Sequence, residues 1–402
     1  MKLSIPFNGQ PDLLEKIDKE KVAEIYGKLT NDFIGGGRPS STNPYISINK
    51  IAACVKETHR LGIEFNYLLN ASCLGNREWT RSGQKKIRKL LDWLTKIEVD
   101  TITVASPYLA KIIKKCYSFK ITTSAIAQIN SLKRAKMWEE LGVDEIVLCD
   151  IGSNRNFPLL RIIRKEVKCR IKVIANEDCL FHCLRYFYHA NVTAHASQNV
   201  LGNYYINYCR VSCRLRRILE PVNFIRAAWI RPEDTHYYKA IGVDRLKLID
   251  RGMTTEALIR VIKAYQDCRY DGNLLDLSPK PSTNLVGKNT GFINKLRYFF
   301  RPFYINIFKL YKIRNVTDDF DVYIDNRALD GFIEFFLKDN CELKSCGECG
   351  YCEDVARRSV RINLASQKRM SQLHRDFLAG MVSGDIFSYK SKKGVNIGKK
   401  GK

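Results

Sequence analysis

Four cysteines in one stretch, Asn176 to Arg214, have the residue type and spacing best suited to chemistry. NEDCLFHCLRYFYHANVTAHASQNVLGNYYINYCRVSCR holds two C-x3-C pairs, Cys179/Cys183 and Cys209/Cys213. On a helix, i, i+4 spacing sets both sulfurs on one face, one turn apart. Two such pairs joined by a loop make a four-thiolate site. Thiolates are soft ligands, so zinc and an iron–sulfur cluster both suit the set. Structural zinc sites favour C-x2-C knuckles or C-x2–4-C ribbons, so the spacing alone tilts the reading only slightly away from zinc. His182, His189 and His195 share the stretch as candidate ligands or acid–base groups. His189 and His195 are the candidate catalytic histidines, because imidazole exchanges protons near neutral pH. The plain alternative is four buried, unligated thiols. Two pairs of identical spacing argue against it.

A second thiol group lies near the C-terminus, where Cys341, Cys346, Cys349 and Cys352 read C-x4-C-x2-C-x2-C. That order is close to ferredoxin spacing, and the glycines between its cysteines let the chain wrap a cluster. A zinc knuckle is the alternative. The other six cysteines, Cys54, Cys73, Cys116, Cys149, Cys169 and Cys268, are scattered and read as packing residues, although Cys73 could reach the site.

The elements that must position these groups alternate between short β-type runs and helical stretches over about the first 270 residues. The expected strands are Lys2–Pro6, Ala23–Tyr26, Glu64–Leu69, Thr101–Ala105, Lys120–Ser124, Glu145–Cys149, Arg170–Ala175 and Arg245–Asp250. Each is rich in Ile, Val, Leu or Thr, as in strands buried on both faces. Amphipathic runs such as Lys85–Lys96, Ser131–Leu141 and Phe157–Val167 fall between them, and Asn223–Ile230 is a further strand-like run. Eight such units predict an α/β fold, a (β/α)8 TIM-like barrel spanning 1–275, with a small cysteine-rich C-terminal extension. No G-x-G-x-x-G follows a strand, so a dinucleotide fold has little support.

In such a barrel, chemistry sits on loops after the strand C-termini. The first cysteine stretch follows the seventh strand and therefore belongs at the mouth. Gly36, Gly37 and Arg38 lie in a glycine run that resembles an anion cradle, and Asn70 points to a lined pocket. Arg38, Arg231, Lys247 and Arg251 are candidate holders of a carboxylate or phosphate. Asp250 is a further candidate catalytic residue.

Lys and Arg total 67 against 42 acidic residues, a formal charge of +25, which favours polyanionic partners such as RNA. Residues 276–290 read as a linker, 291–385 as an aromatic-basic and metal-binding region, and 386–402 as a disordered basic tail. Phe292–Arg314 carries no acidic residue and could meet a membrane surface, stacked bases or the barrel itself. No secretory signal or long apolar span is evident, so a cytoplasmic location without a transmembrane segment is expected. Many cysteines in a reducing compartment then argue for metal ligation over disulfides. Neither H-E-x-x-H nor G-x-S-x-G occurs, which weighs against a standard hydrolase.

Beyond these readings, NEDCLFHC and YCRVSC, with Ile230–Asp234, Gly242–Lys247 and Tyr270–Asn273, carry a resemblance to the collagenase-like peptidase family (peptidase U-32) over about residues 1–275. The resemblance implies a barrel with a [4Fe–4S] cluster on Cys179, Cys183, Cys209 and Cys213. It also implies oxygen-independent hydroxylation of an RNA base or a small aromatic, lipid-like substrate, with prephenate as a hydroxyl donor. An electron-donor protein and a family-member partner chain are the implied partners. The C-x3-C spacing is narrower than in several hydroxylating members, and the C-terminal cysteines lie outside the basic family pattern.

Overall fold

Alternation of side chains along eight short runs produces eight parallel strands, and the last pairs with the first. The computed structural model describes residues 1–198, 206–279, 321–338 and 341–387, with 306, 308, 309 and 316. The strands are β1 (Lys2–Pro6), β2 (Val22–Gly27), β3 (Glu64–Leu69), β4 (Thr101–Val104), β5 (Lys120–Thr123), β6 (Glu145–Val147), β7 (Arg170–Ile174) and β8 (Arg245–Lys247). They close in sequential order, and Leu3 of β1 sits opposite Leu246 of β8. The expected (β/α)8 barrel is therefore the observed fold.

Outward positions such as Ile5, Ile25, Phe65, Ile102, Ile121, Ile146, Val173 and Leu248 pack beneath the surrounding helices. Inward positions at one level are polar. Lys172 Nζ lies 2.6 Å from Glu24 and 2.5 Å from Glu145, and all three side chains are buried. Strands β2 and β7 are not neighbours, so this contact crosses the barrel interior. Ser4 and Asn66 donate to Glu24, Thr122 donates to Glu145, and Arg245 reaches both carboxylates from below. Two residues further along, Tyr26, Leu68, Val147 and Ile174 join Ala125 and Ile249 as an apolar belt above the charges.

The helices begin where the sequence offers caps: the side chains of Ser47, Thr80, Ser106, Ser131, Asn156 and Thr254 each accept a backbone N–H in the first turn. The run Asn223–Ile230 is not a strand. It forms a helical turn, Val222–Ile225, followed by an isolated bridge between Ala227 and Leu180. Its carbonyls are taken by buried side chains: Arg155 donates to Ile225 O and Ala227 O, and Asn154 to Ala228 O.

The C-terminal residues dock on the barrel. Val322–Ile324 and Val360–Ile362 form a two-stranded antiparallel sheet. The Arg155 guanidinium lies 4.7 Å and 5.3 Å from the rings of Phe332 and Phe336, and also faces Phe181 and Trp229. Helix Leu364–Val382 packs on helix Tyr208–Leu219, where Phe377 meets Val211. Phe292–Arg314 apart from 306, 308 and 309, the linker reading beyond Pro279 and the tail beyond Phe387 lie outside the described residues. Among the described residues no helix is long and apolar enough to cross a membrane.

The buried ion triad yields a stability prediction. Lys172→Met leaves Glu24 and Glu145 facing one another without their cation, and should cost about 3–5 kcal/mol in chemical denaturation at neutral pH. Adding Glu24→Gln and Glu145→Gln should recover part of that loss. An unchanged midpoint in the single variant would show that the triad contributes nothing net.

Candidate functional site

The loop that follows β7 carries the chain from the barrel wall into the mouth. Asn176 fixes its start: Asn176 Nδ2 donates to Ile249 O and to Leu277 O, and Oδ1 accepts from Ile249 N at 2.7 Å. Glu177 then accepts the backbone N–H groups of Asp178 and Cys179. Cys179 and Cys183 lie on this loop, not on a helix, and His182 turns the chain with φ of 50°. The loop is held by backbone bonds from Ala228 N to Cys179 O, Phe181 N to Arg226 O and His182 N to Ile151 O. Cys209 and Cys213 lie on helix Tyr208–Leu219, whose first turn is capped by Asn207.

All four thiols line one cavity of about 330 Å³ at the barrel mouth. Its floor is the apolar belt of Tyr26, Leu68, Val147, Ile174 and Ile249. The Cys183 thiol is lowered to about 6 by a hydrogen bond with Cys213, aided by the Arg185 cation, and that bond raises Cys213. Burial pushes Cys209 up to about 11 and raises Cys179 strongly. Among the described residues, no group of three or more His, Cys, Asp or Glu side chains is placed to hold a metal ion. A zinc ion with sulfurs at 2.3 Å would draw them to about 3.8 Å from each other. Four thiols around one cavity with cations beside them suit a sulfide-bridged cluster, which spaces its thiolates more widely.

The mouth also concentrates charge. Arg38 pairs with Asp250 at 3.4 Å, and Arg217 with Asp178 at 3.2 Å. Arg185, Arg210, Arg214 and the buried Arg251 add further cations. Burial lifts Glu177 to about 8, with the charge of Asp150 adding to it, and burial lifts Asp150 to about 6. Asp150 Oδ1 has no hydrogen-bond partner among the described residues, although the carboxylate lines the cavity. Such a buried acceptor favours a ligand donor beside it.

Sequence-predicted residues divide between those at the mouth and those elsewhere. His189 lines the cavity, and burial with the Arg38 and Arg210 cations holds it down to about 4. At pH 7 its ring is therefore neutral. His195 is exposed at the end of helix Tyr186–His195, beside Gly75, and does not line the cavity. Gly37, Arg38, Asn70, Lys247, Asp250 and Arg251 do line it. The glycine run, however, has its N–H groups in use: Gly35 donates to Asp32, Gly36 to Ser197 Oγ and Gly37 to Asn70 Oδ1. Gly35 has φ of 83°, and a side chain there would meet Ser197 and Gln198 at 2.7 Å. These glycines serve close packing, with Asn70 as the brace. Arg231 is buried away from the cavity, where it donates to Asn326 Oδ1, Leu329 O and Asp330. Cys341, Cys346, Cys349 and Cys352 come together at a separate small pocket.

The sequence reading passed over Asp150, and over Arg185, Arg210, Arg214 and Arg217. Three of these had a signal. Arg210, Arg214 and Arg217 follow i, i+4, i+7 spacing on the helix of Cys209 and Cys213, so one stripe of cations flanks one stripe of thiols. Asp150 carried none, since it opens a helical turn that becomes part of the mouth only through folding.

Lys247 gives the mouth a pH dependence. Its ammonium lies 4.1 Å over the Tyr26 ring, and burial, reinforced by Lys172, pushes it down to about 7. Between about 7 and the usual lysine value, the unfolded chain holds a proton that the folded chain lacks. Stability should therefore rise with pH across that window, with this group contributing about 1.4 kcal/mol per pH unit. Denaturation of Lys247→Met at pH 6, 8 and 9 should show a slope smaller by about that amount. An equal slope in both proteins would mean that Lys247 titrates normally.

Residues 38–272, more than half of the chain, match the family described as Peptidase family U32. The protein named "Uncharacterized protease MJ1657" of Methanocaldococcus jannaschii is 31% identical over 354 residues, covering 87% of this chain and 93% of that one. The solved structure of "the U32 Peptidase Mk0906" is similar at 19% identity and a TM-score of 0.47, over 62% of this chain and 93% of that chain. A chitinase from Rhizomucor miehei is similar at 11% identity and a TM-score of 0.38, over 67% and 100%. With the family pattern running from Arg38 at the mouth through both cysteine pairs to Gly272, the chain belongs to peptidase family U32.

Proposed function

We propose that the chain is an iron–sulfur enzyme that carries out oxygen-independent hydroxylation, or a related redox change, on an anionic substrate at the barrel mouth. The observation that carries this reading is the sharing of one cavity by Cys179, Cys183, Cys209, Cys213 and a set of arginines. Those four residues would hold a [4Fe–4S] cluster, which supplies one-electron redox chemistry when bound. Arg38 and Arg251 suit the carboxylates of a hydroxyl donor such as prephenate, or the phosphates flanking an RNA base. Hydroxylation moves oxygen from the donor onto a substrate carbon, so the donor takes the two electrons that the substrate loses. Glu177, lifted to about 8 by burial, holds a proton at neutral pH and can give it to a developing oxyanion. His189, neutral at pH 7, can accept one. The apolar belt beneath keeps water from the reacting face of a planar ring.

One observation favours a second reading, a carboxylate-dependent peptidase. Asp150 and Glu177 are both raised by burial, and the charge of Asp150 raises Glu177 further, as in a pair that shares a proton. Two experiments separate the readings. Anaerobically purified protein should contain iron and sulfide, and Cys179→Ala/Cys183→Ala should lose about four irons per chain. Gelatin and a peptide panel should remain uncut by the same preparation. Cleavage that survives the cysteine replacements and disappears in Asp150→Asn/Glu177→Gln would replace the redox reading with the peptidase one.

A further inference from the structure

The C-terminal thiols are not used by the barrel mouth, yet the fold gathers them. Cys341 lies in the helical turn Cys341–Leu343, Cys346 and Cys349 bound the next turn, and Cys352 opens helix Tyr351–Ser359. Ser345 caps the Cys346 turn, accepting from Glu348 N, and Gly350 takes φ of 62° between the turn and the helix. The chain thus wraps so that all four cysteines line one pocket of about 20 Å³, walled on one side by Phe336 and Arg226. Cys341 and Cys346 are exposed, whereas Cys349 and Cys352 are partly buried. The four sulfurs share the pocket with the side chains of Glu353 and Lys344, so the donor set is mainly soft and suits iron–sulfur or zinc chemistry.

The pocket is joined to the barrel thiols by two routes. Phe181, between Cys179 and Cys183, faces the Arg155 guanidinium at 5.1 Å, and Phe336 faces the same guanidinium at 5.3 Å. These two legs put a ring of the barrel cysteine loop within about 10.4 Å of a ring that walls the second pocket. The other route is through the backbone. Phe181 N–H donates to Arg226 O, and the Arg226 side chain pairs with Glu353, next to Cys352. Among the described residues, Arg155 has no ion pair with a carboxylate. Its charge is met by two carbonyls and four aromatic rings.

We propose that Cys341, Cys346, Cys349 and Cys352 hold a second iron–sulfur centre, connected through Phe336, Arg155 and Phe181 to the barrel thiols, and that it relays single electrons to them. The ferredoxin-like order C-x4-C-x2-C-x2-C favours a cluster over zinc. In the relay no bond forms or breaks. A reduced one-electron donor protein, of ferredoxin or flavodoxin type, gives up one electron, and the C-terminal centre takes it and passes it to the barrel centre. That centre stays in its reduced state, because the hydroxylation itself is balanced between substrate and hydroxyl donor. The relay rests on the iron–sulfur reading of the barrel mouth. The metal site itself does not.

Full-length protein purified without oxygen tests both parts. Iron, sulfide and zinc are measured in the parent, in Cys179→Ser/Cys183→Ser and in Cys346→Ser/Cys349→Ser, with electron paramagnetic resonance after dithionite reduction. The parent should hold about eight irons, and each double variant about half. Iron kept in the barrel variant sustains the second centre even where the barrel reading fails. Zinc in place of iron, lost only from Cys346→Ser/Cys349→Ser, would overturn the proposal, as would full iron retention in that variant. The fully reduced parent should show a spectrum altered by interaction between two nearby spins. A spectrum equal to the sum of the two variants' spectra would remove the relay.

Discussion

A buried ammonium at the centre of the barrel sets the terms for everything above it. Lys172 is fully enclosed, and its two carboxylates, Glu24 and Glu145, are enclosed with it. Taking three charges from water costs several kcal/mol for each ion, and attraction offsets that only when the remaining lone pairs are also bonded. Here Ser4 and Asn66 supply those bonds at Glu24, and Thr122 at Glu145 Oε2. Glu145 Oε1 has no hydrogen bond among the described residues but faces the Arg170 and Arg245 guanidiniums at 3.6 Å. Burial alone would raise Glu24, but the Lys172 cation and its hydrogen bond outweigh it and hold the carboxyl at about 2. The arrangement also constrains register. A slip of one residue in any of these strands would turn a charged side chain toward the apolar layer beneath the helices. The pairs Glu24↔Glu64, Thr122↔Glu145 and Lys172↔Arg245 all put polar residues at one level, so the triad and the strand alignment require one another.

The apolar belt above this level has a different role. Tyr26, Leu68, Val147, Ile174 and Ile249 separate a charged interior from a charged mouth, so the two sets of ions do not compete. Lys247 is the exception that joins them. It lies on β8 within the barrel wall, yet its ammonium rests on the Tyr26 ring at the cavity floor. Burial and the nearby Lys172 cation both weaken its hold on a proton, which makes it the cation of the mouth most easily neutralised. Arginines, which stay charged, surround it at the rim. A ligand there meets permanent positive charge outside and a titratable amine within.

Much of the architecture was legible because short runs rich in Ile, Val, Leu or Thr, separated by amphipathic stretches, are local signals. Each expected strand appears, with the seventh placed where it brings the first cysteine pair to the mouth. What failed depended on partners remote in sequence. Asn223–Ile230 has the composition of a strand, but Arg155 and Asn154 claim its carbonyls from about 70 residues away. Arg231 looked like an anion holder, and the side chain does bind oxygen acceptors. They belong to Asn326, Leu329 and Asp330 of this same chain. The glycines at 35–37 resemble an anion cradle because flexible backbone and close packing need the same residue. Only the positions of Asp32, Asn70 and Ser197 distinguish the two uses.

Arg155 explains why the C-terminal extension matters to a site built in the barrel. Its guanidinium is buried, and burial lowers its affinity for a proton. Two carbonyls and four rings compensate, and two of those rings, Phe332 and Phe336, come from the extension. The carbonyls belong to Ile225 and Ala227, in the segment that holds the Cys179–Cys183 loop by backbone bonds to Cys179 and Phe181. Without the extension, Arg155 would lose half its cage, and solvent would reach both the cation and the segment it braces. The extension also packs on the helix that carries Cys209 and Cys213. Both halves of the barrel thiol set are thus supported by residues beyond 320, so the thiol geometry at the mouth depends on a region that forms no part of the barrel.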